Sequence, residues 1–262
     1  LRPETVFGAL PFVGGLTNIG QAIGKYQLEV KKNGLAAHVS GYARSAETRA
    51  RALDIGFVDS VHETAQEAAI DADLVFFNTP LSVIKELAED IIPGLKDNAI
   101  LTDVGSVKAG VLKELTPLLD GRIHFVPGHP IAGTEQSGPD AGFAELFEGR
   151  WCILTPDENT SLIAVEEVSK LWRGMGSDVT FMDADHHDLV LAITSHLPHL
   201  IAYNIVGTAA QLENDTRSEV IKYSASGFRD FTRIASSDPI MWRDIFLSNK
   251  DAVLEMLGRF SE

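Results

Sequence analysis

The sequence predicts an α/β chain: a doubly wound, mainly parallel sheet followed by an all-α region. Three observations carry this. Short apolar segments alternate with segments of helical period over the first two-thirds of the chain. A Gly-rich turn follows the first apolar segment. Past Met182 the strand pattern stops and only helical periodicity continues.

Taken in order, residues 10–13 are apolar and lead into the glycine turn, and 18–33 read as a helix. Residues 36–42 read as a strand and 45–54 as a helix opened by Ser45. A short helix at 64–70, a buried strand at 73–78 ending at Thr79-Pro80, and a helix at 82–92 follow. Strand 99–103 runs into a helix from Ser106 to Leu119, and strand 123–127 into a polar loop over 128–142. A strand at 151–155, a helix at 161–174 and a strand at 178–182 close this part. Apolar periodicity then covers 184–210, 216–226 and 240–259. The expected domains are therefore 1–183 and 184–262, divided by a change of period rather than a flexible linker. Long apolar helical faces in the second domain point to a homodimer.

Composition excludes several classes. A formal net charge of −15 repels nucleic acid and anionic membrane surfaces, so an anionic substrate needs locally placed cations. No run of about 18 apolar residues is visible, and the N-terminus lacks an export signal, so neither membrane insertion nor secretion is expected. The single cysteine, Cys152, can form no internal disulfide and no multi-cysteine metal site. In the apolar run from Trp151 to Leu154 it reads as a small core residue. A reducing cytoplasm fits.

The glycine turn reads Gly14-Gly15-Leu16-Thr17-Asn18-Ile19-Gly20. A dinucleotide fingerprint wants G-x-G-x-x-G, whose glycines let the backbone approach a pyrophosphate at a helix N-terminus. Counted from Gly15, the middle glycine is Thr17, a β-branched residue that crowds the phosphates. The run is thus either a nucleotide loop with one departure or a ligand-free turn, and its placement in an alternating region favours the former, a Rossmann-like domain. The next strand ends in Tyr42-Ala43-Arg44-Ser45 with no acidic residue for a ribose hydroxyl. Arg44 suits a 2′-phosphate and hence NADP, although a guanidinium also stacks on adenine without one.

Two polar segments lie where ligands bind in such sheets, outside the strands' carboxyl ends: Thr102 to Lys108 and Val126 to Glu135. Ser106 suits either a helix cap or a site hydroxyl. His129, between Gly128 and Pro130, has a tightly placed backbone and suits acid/base work better than a structural role. Farther on, His186-His187-Asp188 precedes Ser195-His196-Leu197-Pro198-His199. His196 and His199 share a helix face; a zinc site would need a third ligand that the spacing does not supply, so no metal is expected. Pro198 within an apolar helix predicts a kink. Arg229 and Arg233, among small and aromatic residues, are candidate anion binders, or salt-bridge partners of Asp230 or Glu135.

Together DVGSVK (103–108), GHPIAGTEQSG (128–138), SHLPH (195–199) and GFRDFTRIASSDPIMW (227–242) resemble the prephenate/arogenate (cyclohexadienyl) dehydrogenases, from about residue 36 to the C-terminus. The resemblance implies a nucleotide-binding domain, a helical dimerisation domain, and NAD- or NADP-dependent oxidative decarboxylation on the route to tyrosine. It implies His129 as the catalytic histidine on the ring hydroxyl, with Ser106 assisting. It places His196, His199 and Ser195 around the substrate and nicotinamide, and Arg233 on the substrate carboxylate. Glu135 and Asp230 stand near that arginine, and Trp242 is an aromatic by the pocket. Cofactor contacts fall to Gly15, Thr17, Asn18, Ile19, Gly20, Arg44, Ser45, Thr79, Pro80, Asp103 and Ser106. The departures are Thr17, a long stretch between Gly20 and Tyr42, and Asn78 before Thr79-Pro80, where the family is more apolar. A two-domain hydroxy-acid reductase shares the architecture but leaves the histidine segments unexplained. A ligand sensor that has lost nucleotide binding through Thr17 is the remaining alternative.

Overall fold

Five parallel pairings build the principal sheet of the chain, seen in a computed structural model that describes residues 12–13, 36–56, 58–132, 144–212 and 214–262. Its strands are β1 (Phe12–Val13), β2 (Ser40–Tyr42), β3 (Ser60–His62), β4 (Leu74–Phe77), β5 (Ile100–Asp103) and β6 (His124–Val126), in the order β3-β2-β1-β4-β5-β6. The order reverses direction at β1, which lies between β2 and β4. Neighbouring crossovers diverge there and leave a crevice at the strands' carboxyl ends. The chain divides into two units, Leu1–His187 and Asp188–Glu262.

In the first unit the described helices start where the side chains dictate. Ser45 caps α1 (Ala46–Asp54) by accepting from Thr48 N at 3.1 Å. Thr64 and Glu67 form a reciprocal capping box on α2 (Ala65–Ala69). Helices α3 (Ile84–Ile91) and α4 (Ala109–Leu115) follow β4 and β5. A second sheet, β7 (Gly128–Pro130), β8 (Trp151–Leu154) and β9 (Asp178–Phe181), is antiparallel at β7–β8 and parallel at β8–β9. The core gathers Leu74, Phe76, Val126, Phe147, Cys152, Leu154 and, from α5 (Leu162–Gly174), Val168, Leu171 and Trp172. Trp172 is fully buried and meets Phe76 and Phe147 edge to face at 6.1 and 5.2 Å.

Two expectations are corrected here. The helix expected from Ser106 begins at Ala109, because the Asp103 carboxylate accepts Gly105 N at 2.9 Å and draws Lys108 inward, holding residues 104–108 off the helical path. Within the expected polar loop 128–142, residues 128–130 form an edge strand. Strand β3 had no counterpart in the sequence reading.

Past Met182 the described elements are helical: α6 (Ala184–Leu191), a π turn (Ala192–His196), α7 (Leu197–Ala210), α8 (Asn214–Tyr223), α9 (Ser226–Thr232), a 3₁₀ turn (Arg233–Ser236), α10 (Pro239–Ser248) and α11 (Lys250–Ser261). The kink expected at Pro198 takes the form of the π turn. Pro198 has no N–H to offer the carbonyl of Thr194, and the ladder widens so that Leu197 N bonds Ala192 O. A small core of Ala192, Leu197, Val253 and Met256 forms in the second unit. The continuous helical run Ala184–Ala210 is long and apolar enough, by length and composition, to cross a membrane, and 28% of its most apolar stretch is buried.

Candidate active site

In the first unit the site is organised by one buried ion pair. Asp103 ends β5, and Lys108 lies five residues on; both side chains are fully buried, and Lys108 Nζ donates to Asp103 Oδ2. The remaining bonding capacity is spent on backbone. Lys108 Nζ donates to Gly128 O at 2.8 Å, and Asp103 Oδ1 accepts Gly128 N at 3.2 Å. One carboxylate and one ammonium thus clamp both polar groups of Gly128, the residue before His129. A Cβ on Gly105 would stand 2.5 Å from Leu81 Cδ2 and 2.9 Å from Asp103 Oδ2, so the turn that carries Ser106 past the ion pair requires glycine. Asp103 acts here by setting backbone.

His129 is pinned from the other side by the β7–β8 pairing, opposite Ile153. It is 6% exposed. Its Nδ1 stands 2.9 Å from Nε2 of His187, which is fully buried, with the ring planes at 71°. The sequence reading names His187 within the run His186-His187-Asp188 but gives it no role, because the two residues are 58 apart in the chain. Ser106 is half-buried in the bend before α4 and caps no helix; the N-cap position belongs to Lys108. Burial pushes the Cys152 thiol well above its usual range, in keeping with a core residue.

At the sheet's reversal, Val13 pairs with Phe77, and the chain leaves β4 through Asn78, Thr79 and Pro80. Asn78 is fully buried and Thr79 nearly so, yet Asn78 Nδ2 and Oδ1 and Thr79 Oγ1 find no hydrogen-bond partner among the described residues. Each such group costs about 1–3 kcal/mol. Polar atoms left unsatisfied at the one place where this fold binds dinucleotides fit a ligand that satisfies them. Arg44 is exposed past the end of β2, and Ser45 is occupied as a helix cap. Gly15, Thr17, Asn18, Ile19, Gly20 and Glu135 lie outside the described residues.

In the second unit, both site histidines meet Trp242 of α10. His199 stacks on it at 3.6 Å and 17°, and His196 meets it edge-on at 6.1 Å. The shared helix face expected of the two histidines is the one in contact with Trp242. Their tautomers can be assigned. His199 Nδ1 lies 2.9 Å from Ser195 O, which can only accept, so the neutral ring carries its proton on Nδ1 and offers Nε2 as an acceptor. Asn249 Nδ2 donates to Asp188 O at 2.7 Å, which fixes the amide orientation, and also reaches His196 Nδ1 at 3.0 Å. His196 Nδ1 therefore accepts, and its proton sits on Nε2. Burial pushes His199 below the usual histidine value, against the opposing pull of the Ser195 carbonyl, and so favours the neutral ring. Asp238 caps α10 through Ile240 N and Met241 N at 2.8 and 2.9 Å, fixing Trp242 in its first turn. Arg229, Asp230 and Arg233 are exposed. Among the described residues no three His, Cys, Asp or Glu side chains converge on a point that could hold a metal.

A parallel sheet in this order, with unsatisfied polar groups at its reversal and a clamped histidine beyond, defines a nucleotide-binding protein of the Rossmann type carrying a helical second unit. Residues 27–181 match the nucleotide-binding domain of prephenate dehydrogenase and residues 183–262 its dimerization domain. The chain belongs to the prephenate dehydrogenase family. It is 45% identical over 224 residues to the cyclohexadienyl dehydrogenase of Zymomonas mobilis, covering 85% of this chain and 75% of that protein. It is 37% identical over 251 residues to the prephenate dehydrogenase of Bacillus subtilis, covering 94% of this chain and 66% of that protein. The crystal structure of prephenate dehydrogenase from Aquifex aeolicus, in complex with hydroxyphenyl propionate and NAD+, superposes with a TM-score of 0.89 at 34% identity, covering 99% of this chain and 88% of that one.

Proposed function

We propose that the chain is an NAD(P)-dependent oxidoreductase that oxidatively decarboxylates prephenate, arogenate or both, forming 4-hydroxyphenylpyruvate or tyrosine. The observation that carries this reading is the clamped, buried His129 beyond the carboxyl ends of a dinucleotide-type sheet. A nicotinamide bound at the sheet's reversal supplies the hydride acceptor. Asn78 and Thr79 are the residues whose unsatisfied atoms suit its binding, with Pro80 shaping the same turn, Gly15, Thr17, Asn18, Ile19 and Gly20 as the phosphate loop, and Arg44 at the adenosine end. An exposed Arg44 with no acidic neighbour at the end of β2 favours NADP, whereas the NAD+ held by the Aquifex relative favours NAD.

The chain's own residues supply orientation and one base. His129 Nδ1 faces His187, so Nε2 is the atom that meets the ring hydroxyl, and Ser106 assists it as the family resemblance implies. His129 draws on that proton as hydride leaves the same carbon. The bond from the opposite carbon to its carboxylate breaks, carbon dioxide leaves, and the electron pair enters the ring, which becomes a phenol. The proton ends on the phenol oxygen, so no net proton is consumed. Arg233 holds the substrate's side-chain carboxylate, and Glu135 and Asp230 tune access to it. His196, His199, Ser195 and Trp242 line the ring site, with a donor on His196 Nε2 and an acceptor on His199 Nε2. A second copy of the chain covers the apolar run Ala184–Ala210, giving a homodimer. A cytoplasmic location suits a chain whose single cysteine is a buried thiol.

His129→Asn tests the reading. Turnover should fall about 10²–10⁴-fold, the usual worth of a general base, with binding of a hydroxyphenyl carboxylic acid unchanged. Unchanged turnover would remove His129 from the reaction.

A further inference from the structure

A hydrogen bond between two imidazole nitrogens holds one proton, and which ring owns it decides what His129 can do. His129 Nδ1 and His187 Nε2 are 2.9 Å apart, both residues are buried, and both are held by backbone. The strand carrying His129 is fixed by its pairing with β8 and by the Asp103–Lys108 clamp on Gly128. His187 sits in the first turn of α6, which Asp183 caps by accepting Asp185 N and His186 N, each at 3.0 Å. His187 N itself donates to Asp183 O at 2.8 Å.

We propose that His187 is a positioning residue that holds His129 in the Nδ1–H tautomer, leaving His129 Nε2 as a bare acceptor toward the substrate hydroxyl. This rests on the reading of His129 as the base.

Two arrangements of the neutral pair are possible. If His187 Nε2 donates, His129 carries its proton on Nε2 and presents a donor to the hydroxyl, which cannot take up a proton. If His129 Nδ1 donates, His187 Nε2 accepts, and His129 Nε2 keeps its lone pair. Only the second permits the chemistry proposed above. When Nε2 takes the hydroxyl proton, the Nδ1–H bond to His187 stabilises the imidazolium that forms, and the proton returns to the phenol oxygen as the ring aromatises. A neutral imidazole partner does this without placing a second negative charge beside an anionic substrate. Orientation of a catalytic histidine by the partner of its other nitrogen is a general requirement of such chemistry.

The test pairs His187→Phe, which keeps a planar ring without an acceptor, with His187→Gln, whose Oε1 can take the place of Nε2. Turnover, the Michaelis constant and nucleotide affinity are measured on the whole chain. Ring ¹⁵N shifts of His129 are recorded without nucleotide. The neutral wild-type ring is expected to be protonated at Nδ1 and bare at Nε2. His187→Phe should lose about 10- to 100-fold in turnover with the Michaelis constant and nucleotide affinity within about threefold, and His187→Gln should regain most of it. A wild-type His129 protonated at Nε2 would overturn the proposal even if neither variant folds. Equal losses in both variants, or no loss in either, would also overturn it. The base reading itself fails separately, if His129→Asn retains full turnover.

Discussion

Replacing Lys108 with methionine removes one partner of a fully buried ion pair while keeping the length and apolar stem of the side chain. Asp103 then stays in the core with no cation, and Gly128 O loses the donor now 2.8 Å away. Breaking such a pair by removing one member costs about 3–5 kcal/mol. Asp103 still accepts from Gly105 N and Gly128 N, which places the cost toward the lower end, about 3–4 kcal/mol. At about 2–4 °C per kcal/mol for a domain of this size, the melting temperature should fall by about 6–16 °C. Scanning calorimetry on the whole chain measures it. Adding Asp103→Leu removes the stranded charge but leaves Gly105 N and Gly128 N unmatched, so the double variant should recover only part of the loss. A fall below about 2 °C for Lys108→Met alone would refute the argument that this pair holds the site together.

Other perturbations separate the roles of the remaining groups. Arg233→Ala should raise the Michaelis constant for the substrate strongly with little change in nucleotide affinity; a normal constant would remove its anchoring role. His199 has a folded-state pKa below the usual 6.5, so the unfolded chain binds more protons as the pH drops. Its contribution to stability is therefore whole above that value and lost as the pH falls through the folded one. His199→Phe, which keeps a ring against Trp242, should flatten the decline in stability between about pH 7 and pH 5 followed by denaturant unfolding; an unchanged slope would contradict burial as the cause. Cys152, fully buried with its thiol held protonated, should resist alkylation in the folded chain and react on unfolding; rapid labelling of the native protein would refute its core placement.

Much of the fold was legible because period and length agree. The apolar run at 74–77 and the buried strand at 100–103 are bounded by turn residues, and helices such as α1 and α2 begin at recognisable caps, Ser45 and Thr64. What escaped is what tertiary context decides. Strand β3 is three half-buried residues, too short for alternation to register. Strand β7 is Gly-His-Pro, a poor strand former by composition; as an edge strand it tolerates a proline that cannot donate. The late start of α4 follows from a carboxylate that captures Gly105 N and Lys108, a competition invisible to a scan for caps. His129, His196 and His199 could be singled out by their local settings. His187 could not, because its significance lies in a neighbour from a distant strand. Asn78 was noted only as a departure, and its unsatisfied amide emerged once burial was known.

The measurement that bears most directly on the central claim is absorbance at 340 nm with prephenate and arogenate, each paired with NAD and with NADP. Reduction of the nucleotide in at least one pairing, with release of carbon dioxide, is the expected result, and the strongest pairing names substrate and cofactor. Folded protein that reduces neither nucleotide with either acid would contradict the account and leave a chain that keeps the substrate site without the reaction.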